Sequence, residues 1–137
     1  MRLTNLSRCA AALTATVLTA LGAAAPAAAL PRPAGTVDVQ WASADPGHYP
    51  FISGTLTIGG IYTCTEPAGT TVPISFTAIQ LMPVSMPSGA GDLPCGPGVV
   101  DAPWSLTSYP TADVHYGYVS VLVAFDGVAL PAEEFSA

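Results

Sequence analysis

The sequence contains two histidines, His48 and His115, and either side chain could act as a general base in nucleophilic catalysis. Such catalysis also needs a serine or cysteine nucleophile beside the base, and the sequence contains no Gly-x-Ser-x-Gly elbow. His48 lies in a predicted turn close to Asp45, and His115 lies at the start of a predicted strand. Hydrogen bonding in a turn and at a strand end accounts for both histidines, so we predict that the protein is not an enzyme and has no catalytic residue.

Acidic side chains could support glycoside hydrolysis or calcium binding, but their arrangement in the sequence favours neither. Glu133-Glu134 is the only adjacent pair of carboxylates, and it lies in a C-terminal segment that we expect to be mobile and solvated. Asp45, Asp92 and Asp101 fall in predicted loops without the ordered spacing of a calcium site. The sequence also has no phosphate-binding or dinucleotide-binding motif. We therefore expect no metal ion and no cofactor.

Cys64 and Cys95 are the cysteines that remain once Cys9, which lies among the first 29 residues, is set aside. In an exported protein such a pair most simply forms one disulfide, which here joins positions 31 residues apart. The chain-entropy model gives such a bond about 3–4 kcal/mol of stabilisation. A zinc site built from both cysteines and both histidines is the alternative, although no two of these ligands have the close spacing that zinc sites use.

The N-terminal residues have the layout of a secretory signal peptide. Arg2 and Arg8 supply positive charge, residues 9–21 supply an apolar stretch, and residues 27–29 are small alanines suited to a cleavage site. We expect this segment to be helical and to be removed after Ala29, which makes the predicted product a secreted protein. No second apolar run approaches the ~18 residues that a membrane span needs.

Cleavage at this site divides the chain into a signal peptide of residues 1–29, a short leader of residues 30–35 and one domain of residues 36–137. The 108 residues after the cleavage site keep one basic residue, Arg32, against nine acidic ones, a formal charge of −8. Nucleic acids and anionic membranes are therefore poor partners, because contacts to phosphates need clustered lysine and arginine. Solubility of a secreted domain accounts for this charge, and a cationic ligand is the alternative.

The sequence after residue 35 has the pattern of an all-β protein. Glycine and proline interrupt it every eight to fifteen residues, no window has a helical period, and apolar residues alternate with polar ones. About seven short strands in ~100 residues predict an immunoglobulin-like sandwich of two sheets with one disulfide. The residues that the alternation directs into a single core are Trp41, Leu56, Ile58, Tyr62, Ile74, Phe76, Trp104, Val119, Val121, Val123 and Phe125.

The alternation of apolar residues is irregular at two places in the predicted strands. Gly59-Gly60 could form a hairpin turn, but Leu56 would then lie opposite Thr63 and one face of the hairpin would mix polar and apolar residues. One continuous strand keeps the large apolar residues on one side, so we predict a long strand with a kink or bulge at Gly59-Gly60. A second bulge is predicted near Ala78-Ile79, where the apolar residues change from even to odd positions.

The remaining connections are predicted from proline and glycine. Residues 83–98 contain four prolines, four glycines and Cys95, and we predict a long irregular loop held by the disulfide. Asp126-Gly127 predicts a two-residue hairpin after the strand that ends at Phe125. Pro131 limits the returning strand to the edge of a sheet.

Part of the sequence resembles a known group of proteins. Residues 53–65 contain a Gly-x-Tyr-x-Cys motif that ends at Cys64, and Cys95 is followed nine residues later by Trp104. With the strand that follows Tyr116, these features resemble small secreted actinobacterial proteins of unknown function with two cysteines. The resemblance covers roughly residues 36–130 and implies an immunoglobulin-like sandwich with one disulfide. It implies no activity.

The candidate binding residues are tyrosines. Tyr116 and Tyr118 share a strand face opposite the valines of the core, and if both are exposed they would form a binding patch. Residues 83–98 are a second candidate surface. We therefore predict a secreted, non-catalytic binding module for an unknown extracellular protein or small molecule. The alternatives are a small-ligand carrier that resembles the acidic actinobacterial chromoprotein apoproteins, and an inhibitor of an extracellular enzyme.

Overall fold

Nine β-strands make up the regular secondary structure of residues 34–48 and 52–137, the part of the chain that this computed structural model describes. The strands are β1 (Thr36–Asp45), β2 (Ser53–Thr63), β3 (Thr71–Gln80), β4 (Ser88–Pro94), β5 (Ala102–Thr107), β6 (Thr111–Ala112), β7 (Tyr118–Phe125), β8 (Val128–Ala129) and β9 (Glu133–Ser136). The predicted all-β class is confirmed. The predicted signal peptide lies outside the described residues.

The strands form two antiparallel sheets that pack as a sandwich. The first sheet has the order β1-β2-β5, and β6 pairs with the start of β2 on the edge that β5 occupies. The second sheet has the order β4-β3-β7-β8, and β9 pairs with β7 beside β8. Apolar side chains of β2 and β5 meet those of β3 and β7 between the sheets, which is the single core that the alternation predicted.

The long strand predicted through Gly59-Gly60 is confirmed, because β2 runs through both glycines without a turn. The bulge lies in its partner β1, where the pairing shifts between Val39 and Trp41. A side chain on Gly59 would collide with the Trp41 indole, which lies against the Gly59 backbone. These glycines therefore accommodate the bulged partner strand and its tryptophan.

The bulge in β1 also corrects the prediction that Trp41 belongs to the core. A bulge adds one residue to a strand and so reverses which positions face inward. Val39 is buried before the bulge and Ala44 after it, while Trp41 is turned outward and is 42% exposed. The other ten residues of the predicted core are buried.

The bulge predicted near Ala78-Ile79 is absent, and this prediction was wrong. Every even position of β3 is buried, and its pairing with β7 continues without a shift to Gln80. Gln80 is fully buried although its side chain is polar, while Ile79 and Leu81 are exposed. The change of apolar parity in the sequence therefore marks a strand with apolar residues on both faces.

Residues 83–98 are more regular than the irregular loop that the sequence predicted. Ser88–Pro94 form β4, which pairs along β3 from Thr77↔Ser88 to Thr71↔Pro94. Gly89 lies so close to the ring of Phe76 that a Cβ there would be 2.9 Å from it. Two of the four glycines that suggested a loop, Gly89 and Gly91, thus belong to an edge strand in close contact with its neighbours.

The hairpin predicted at Asp126-Gly127 is confirmed. Phe125 pairs with Val128 across a two-residue turn in which Asp126 and Gly127 both have positive φ angles, 49° and 76°. This is the backbone conformation of the turns that match the twist of antiparallel strands, and glycine adopts it readily. Beyond Pro131 the chain returns as β9 on the same edge of β7.

The predicted Cys64–Cys95 disulfide is present, with the two Cα atoms 5.0 Å apart. Cys64 follows β2 in the first sheet and Cys95 follows β4 in the second, so the bond joins the two sheets at one end of the sandwich. The hydroxyl of Tyr62 donates a hydrogen bond of 2.7 Å to the Pro94 carbonyl beside it. Both cysteines are buried.

Within the described residues there is no helix of the length and apolar character that spanning a bilayer would require.

Candidate binding site on the outer face of the second sheet

Tyr116 and Tyr118, the predicted binding residues, are both exposed. Tyr118 begins β7 and is 81% exposed, and Tyr116 lies two residues earlier and is 71% exposed. The inward side of the same strand is formed by Val119, Val121 and Val123, all buried. Tyr118 therefore points away from the core, as the alternation of β7 requires, and Tyr116, which precedes the strand, is exposed as well.

The strand register surrounds the tyrosines with further apolar residues. Ile79 of β3 pairs with Ser120 of β7, so continuing the register by two residues brings Leu81 beside Tyr118. Leu122, two residues after Ser120, lies on the same outer face and is 47% exposed. An apolar surface thus follows directly from the pairing of β3 with β7.

Most of the exposed apolar side chains are gathered here. Eight of the twelve large hydrophobic residues that are exposed within residues 34–48 and 52–137 lie on this outer face or on the adjoining hairpin between β3 and β4. We call this set the apolar face: Ile79, Leu81, Met82, Val84, Met86, Tyr116, Tyr118 and Leu122. Contiguous apolar surface of this kind marks interaction sites on soluble proteins, whereas single exposed hydrophobic residues do not.

A cleft of about 450 Å³, open to solvent, lies in the apolar face. Its apolar walls come from β3, from the hairpin after it and from the two tyrosines. Its polar groups are His115, Ser120 and Glu134. Glu134 pairs with Ser120 across β9 and β7, so its carboxylate belongs to the same outer face as Ile79.

Gln80 positions the segment that carries the tyrosines. Its buried side-chain amide donates a hydrogen bond to the His115 carbonyl, and the His115 N–H donates one of 3.3 Å to the Gln80 side-chain oxygen. The amide thus pairs with the backbone at His115 as a neighbouring strand would. This explains how a polar side chain is accommodated at an inward position of β3.

The other side of the segment is held by backbone pairing. Gly117 and Ala137 exchange two hydrogen bonds, each of 2.9 Å, so the residue between the tyrosines is fixed to the chain after β9. Tyr118 itself pairs with Ser136. The tyrosines are therefore presented by a backbone with partners on both sides.

The hairpin between β3 and β4 is also closed by hydrogen bonds. Gln80 and Ser85 exchange backbone hydrogen bonds of 2.9 and 3.1 Å, and the Ser85 hydroxyl donates one of 2.8 Å to the Ala112 carbonyl. The tip between them, residues 81–84, is exposed and includes Met82, which is 92% exposed. Apolar residues at the tip of a closed hairpin are placed for contact with another molecule.

Of the histidines and carboxylates considered for chemistry, His115 and Glu134 both line the cleft, whereas His48 is not among its lining residues. The His115 ring bonds the Asp113 carbonyl at 2.8 Å through Nδ1, and His48 is exposed beyond the end of β1. Within the described residues there is no group of three or more histidine, cysteine or acidic side chains that could hold a metal ion. Glu133 and Glu134 belong to the strand β9 instead of an irregular tail, and both are exposed.

Sequence reasoning identified the two tyrosines but missed the side chains that surround them. The bulge predicted near Ala78-Ile79, which is absent, would have turned Ile79 and Leu81 inward, and the hairpin beyond was treated as part of a loop. The available signal was the presence of apolar residues at both parities in β3. In a strand of a two-sheet sandwich this pattern indicates an apolar outer face.

Comparison with family models, curated proteins and solved structures finds no match for this chain.

Proposed function

We propose that this protein is a secreted, non-catalytic binding module that recognises an extracellular partner protein through the apolar face. The observation that carries the proposal is the exposure of Tyr116 and Tyr118, 71% and 81%, on a backbone held on both sides by hydrogen bonds. Tyrosines that are exposed on a fixed backbone contribute a large contact area at small cost in conformational entropy. The apolar face is thus preorganised for binding.

Removal of exposed apolar surface from water contributes about 25 cal/mol of favourable free energy for each Å² that a partner buries, before the costs of association. Aromatic residues supply much of the binding energy at protein interfaces, and tyrosine is among the residues enriched there. A rigid sheet carrying two such residues beside an exposed methionine and leucine has the composition of an interface core.

An extracellular setting is supported by the disulfide and by the signal-like N-terminal sequence. Cys64 and Cys95 are buried and bonded, which is typical of proteins that fold in an oxidising compartment. The relation to small secreted actinobacterial proteins is part of the same proposal and rests on the sequence motif that ends at Cys64.

The immunoglobulin-like class is likewise proposed, from strand order. If β1, β2, β3, β5, β7 and β8 stand for strands A, B, C, E, F and G, the sheets follow the ABE and CFG orders of that fold. β4 pairs with β3 in the second sheet, in place of a fourth strand beside β5.

A small molecule is the second candidate ligand, because the cleft of about 450 Å³ has a volume typical of small-ligand pockets. Such a ligand would bind in the outer cleft beside Tyr116 and Tyr118. In a carrier of the chromoprotein type it would instead bind between the sheets, where side chains such as Leu56, Ile58 and Phe125 are buried.

The binding role can be tested by capture from the culture supernatant of the source organism. The immobilised secreted protein should retain a partner that the Tyr116→Ala, Tyr118→Ala double variant loses. Tyr109→Ala is the matched control, since Tyr109 is 63% exposed but lies outside the apolar face. Equal capture by the double variant and the wild-type protein, with unchanged melting temperatures, would show that the apolar face does not bind the partner.

Secretion is tested separately by N-terminal sequencing of the protein recovered from the medium. We expect the mature chain to begin near Leu30, because the small residues before it suit signal peptidase. An exported chain that still contains Cys9 would contradict this processing.

A further inference from the structure

We propose that the occupant of the apolar face is a basic protein segment, one in which arginine or lysine side chains alternate with apolar ones. The proposal rests on the proposed binding function and names the chemistry of the partner. Both the cleft, with its two tyrosine rings and one carboxylate, and the net negative charge of the domain favour a cationic partner.

The charge of the described residues has a single sign. Residues 34–48 and 52–137 contain all nine acidic side chains of the sequence, whereas each of its three arginines precedes residue 34 and it has no lysine. The domain therefore has a negative electrostatic potential without a competing basic patch among these residues. Such a potential attracts cationic partners and raises their association rate.

The cleft supplies two kinds of group that bind a cation at short range. The exposed rings of Tyr116 and Tyr118 present π-systems that attract ammonium and guanidinium groups, with arginine the more frequent partner. Glu134 places a carboxylate in the same cleft, on the outer face with Ile79. A guanidinium group that stacks on a tyrosine ring can also bond this carboxylate, while its apolar stem covers Leu81.

The extent of the apolar face favours a peptide segment over a free organic cation. Val84, Met86 and Leu122 are exposed beyond the cleft, at 65%, 57% and 47%. A small cation would fill the cleft and leave this surface in water. A segment that alternates basic and apolar residues can place cations at the tyrosines and apolar side chains along the strands.

The same charge argues against a second copy of this chain as the occupant. Another copy would bring a domain whose described residues contain acidic side chains but neither lysine nor arginine. Like charges brought together across an interface cost free energy. Complementarity therefore points to a partner of opposite charge.

The test uses the mature secreted protein and synthetic peptides as probes. One peptide alternates leucine and arginine, and its control replaces each arginine by citrulline, a neutral residue of nearly the same shape. Binding is followed by chemical-shift changes at Tyr116 and Tyr118, in about 20 mM and about 300 mM NaCl. We expect the arginine peptide to bind at least about ten times more tightly than the citrulline peptide, and to weaken as salt rises.

Two variants with the same change of charge distinguish a contact with Glu134 in the cleft from attraction by the negative potential of the whole domain. Glu134→Gln and Glu66→Gln remove the same charge, but Glu66 lies in the loop before β3, at the opposite end of that strand from the apolar face. We expect Glu134→Gln to weaken binding of the arginine peptide by about three-fold to ten-fold and Glu66→Gln by less than about two-fold.

The outcomes separate this proposal from the binding function on which it rests. Equal binding of both peptides at the tyrosines overturns the basic partner and leaves the binding function intact. Equal effects of the two charge variants, or no binding of the arginine peptide, also overturn the basic partner. Self-association that the Tyr116→Ala, Tyr118→Ala variant abolishes would identify a second copy as the occupant instead. The binding function itself is tested by the capture experiment, in which the Tyr116→Ala, Tyr118→Ala variant is compared with the Tyr109→Ala control.

Discussion

At the scale of single residues, Gln80 has the largest influence on the candidate site. It is the last residue of β3 and is fully buried, and its side-chain amide bonds both backbone groups of His115. Its own backbone closes the hairpin by pairing with Ser85. One residue therefore fixes the two segments that border the cleft.

Replacing Gln80 with leucine, which has a similar size, should destabilise the protein by about 1–3 kcal/mol, because the part-buried backbone groups of His115 lose their partner. The measurement is chemical denaturation. Gln40→Leu is the control, since Gln40 is exposed and bonds only the Asp38 carboxylate, and it should change stability by less than about 0.5 kcal/mol. Equal stabilities of the two variants would mean that the His115 backbone is satisfied without Gln80.

At the scale of elements, strand alternation decides which residues form the core and which form the apolar face. In β7 the buried Val121 is followed directly by Leu122, which is 47% exposed on the other side of the sheet. In β1 a single bulge reverses this alternation and turns Trp41 outward. Local pairing thus determines the environment of a side chain as much as its hydrophobicity does.

The register of β7 can be tested with two adjacent substitutions. Val121→Asp should unfold the domain, because it buries a carboxylate without a partner among apolar side chains. Leu122→Asp should leave a folded protein, since the new carboxylate stays in water. Circular dichroism melting of the two variants is the measurement. A folded Val121→Asp variant would contradict the register and the core built on it.

At the scale of the whole molecule, the disulfide and the apolar face lie at different ends of the second sheet. Cys95 follows β4 and lies beside Thr70, the residue before β3. Its backbone N–H donates a hydrogen bond of 2.9 Å to the Thr70 carbonyl. The cleft lies where β3 ends, beside Gln80. The covalent link between the sheets is therefore separate from the surface proposed for binding.

Removal of the disulfide should accordingly reduce stability without removing binding. The Cys64→Ser, Cys95→Ser variant should lose about 2–5 kcal/mol of unfolding free energy. Below its melting temperature it should still capture the partner of the apolar face. Mass spectrometry of the wild-type protein without reductant should detect neither Cys64 nor Cys95 as a free thiol. Two alkylatable cysteines in the native protein would contradict the bond.

The sequence by itself determined the features that depend on local chemistry. The all-β class followed from alternation and from turn residues, the hairpin at Asp126-Gly127 followed from the φ angles that these residues tolerate, and the disulfide followed from a pair of cysteines. The placement of Tyr118 on the face of β7 opposite its valines also followed from alternation.

Only the tertiary structure decided the features that depend on pairing between distant segments. The pairing of β4 with β3 made a strand of residues rich in glycine and proline, and the bulge in β1 turned Trp41 outward. Gln80 became an inward residue because His115, 35 positions away, supplies its hydrogen-bond partners. Alternation states which residues share a face, but register between strands decides which faces meet and which stay in water.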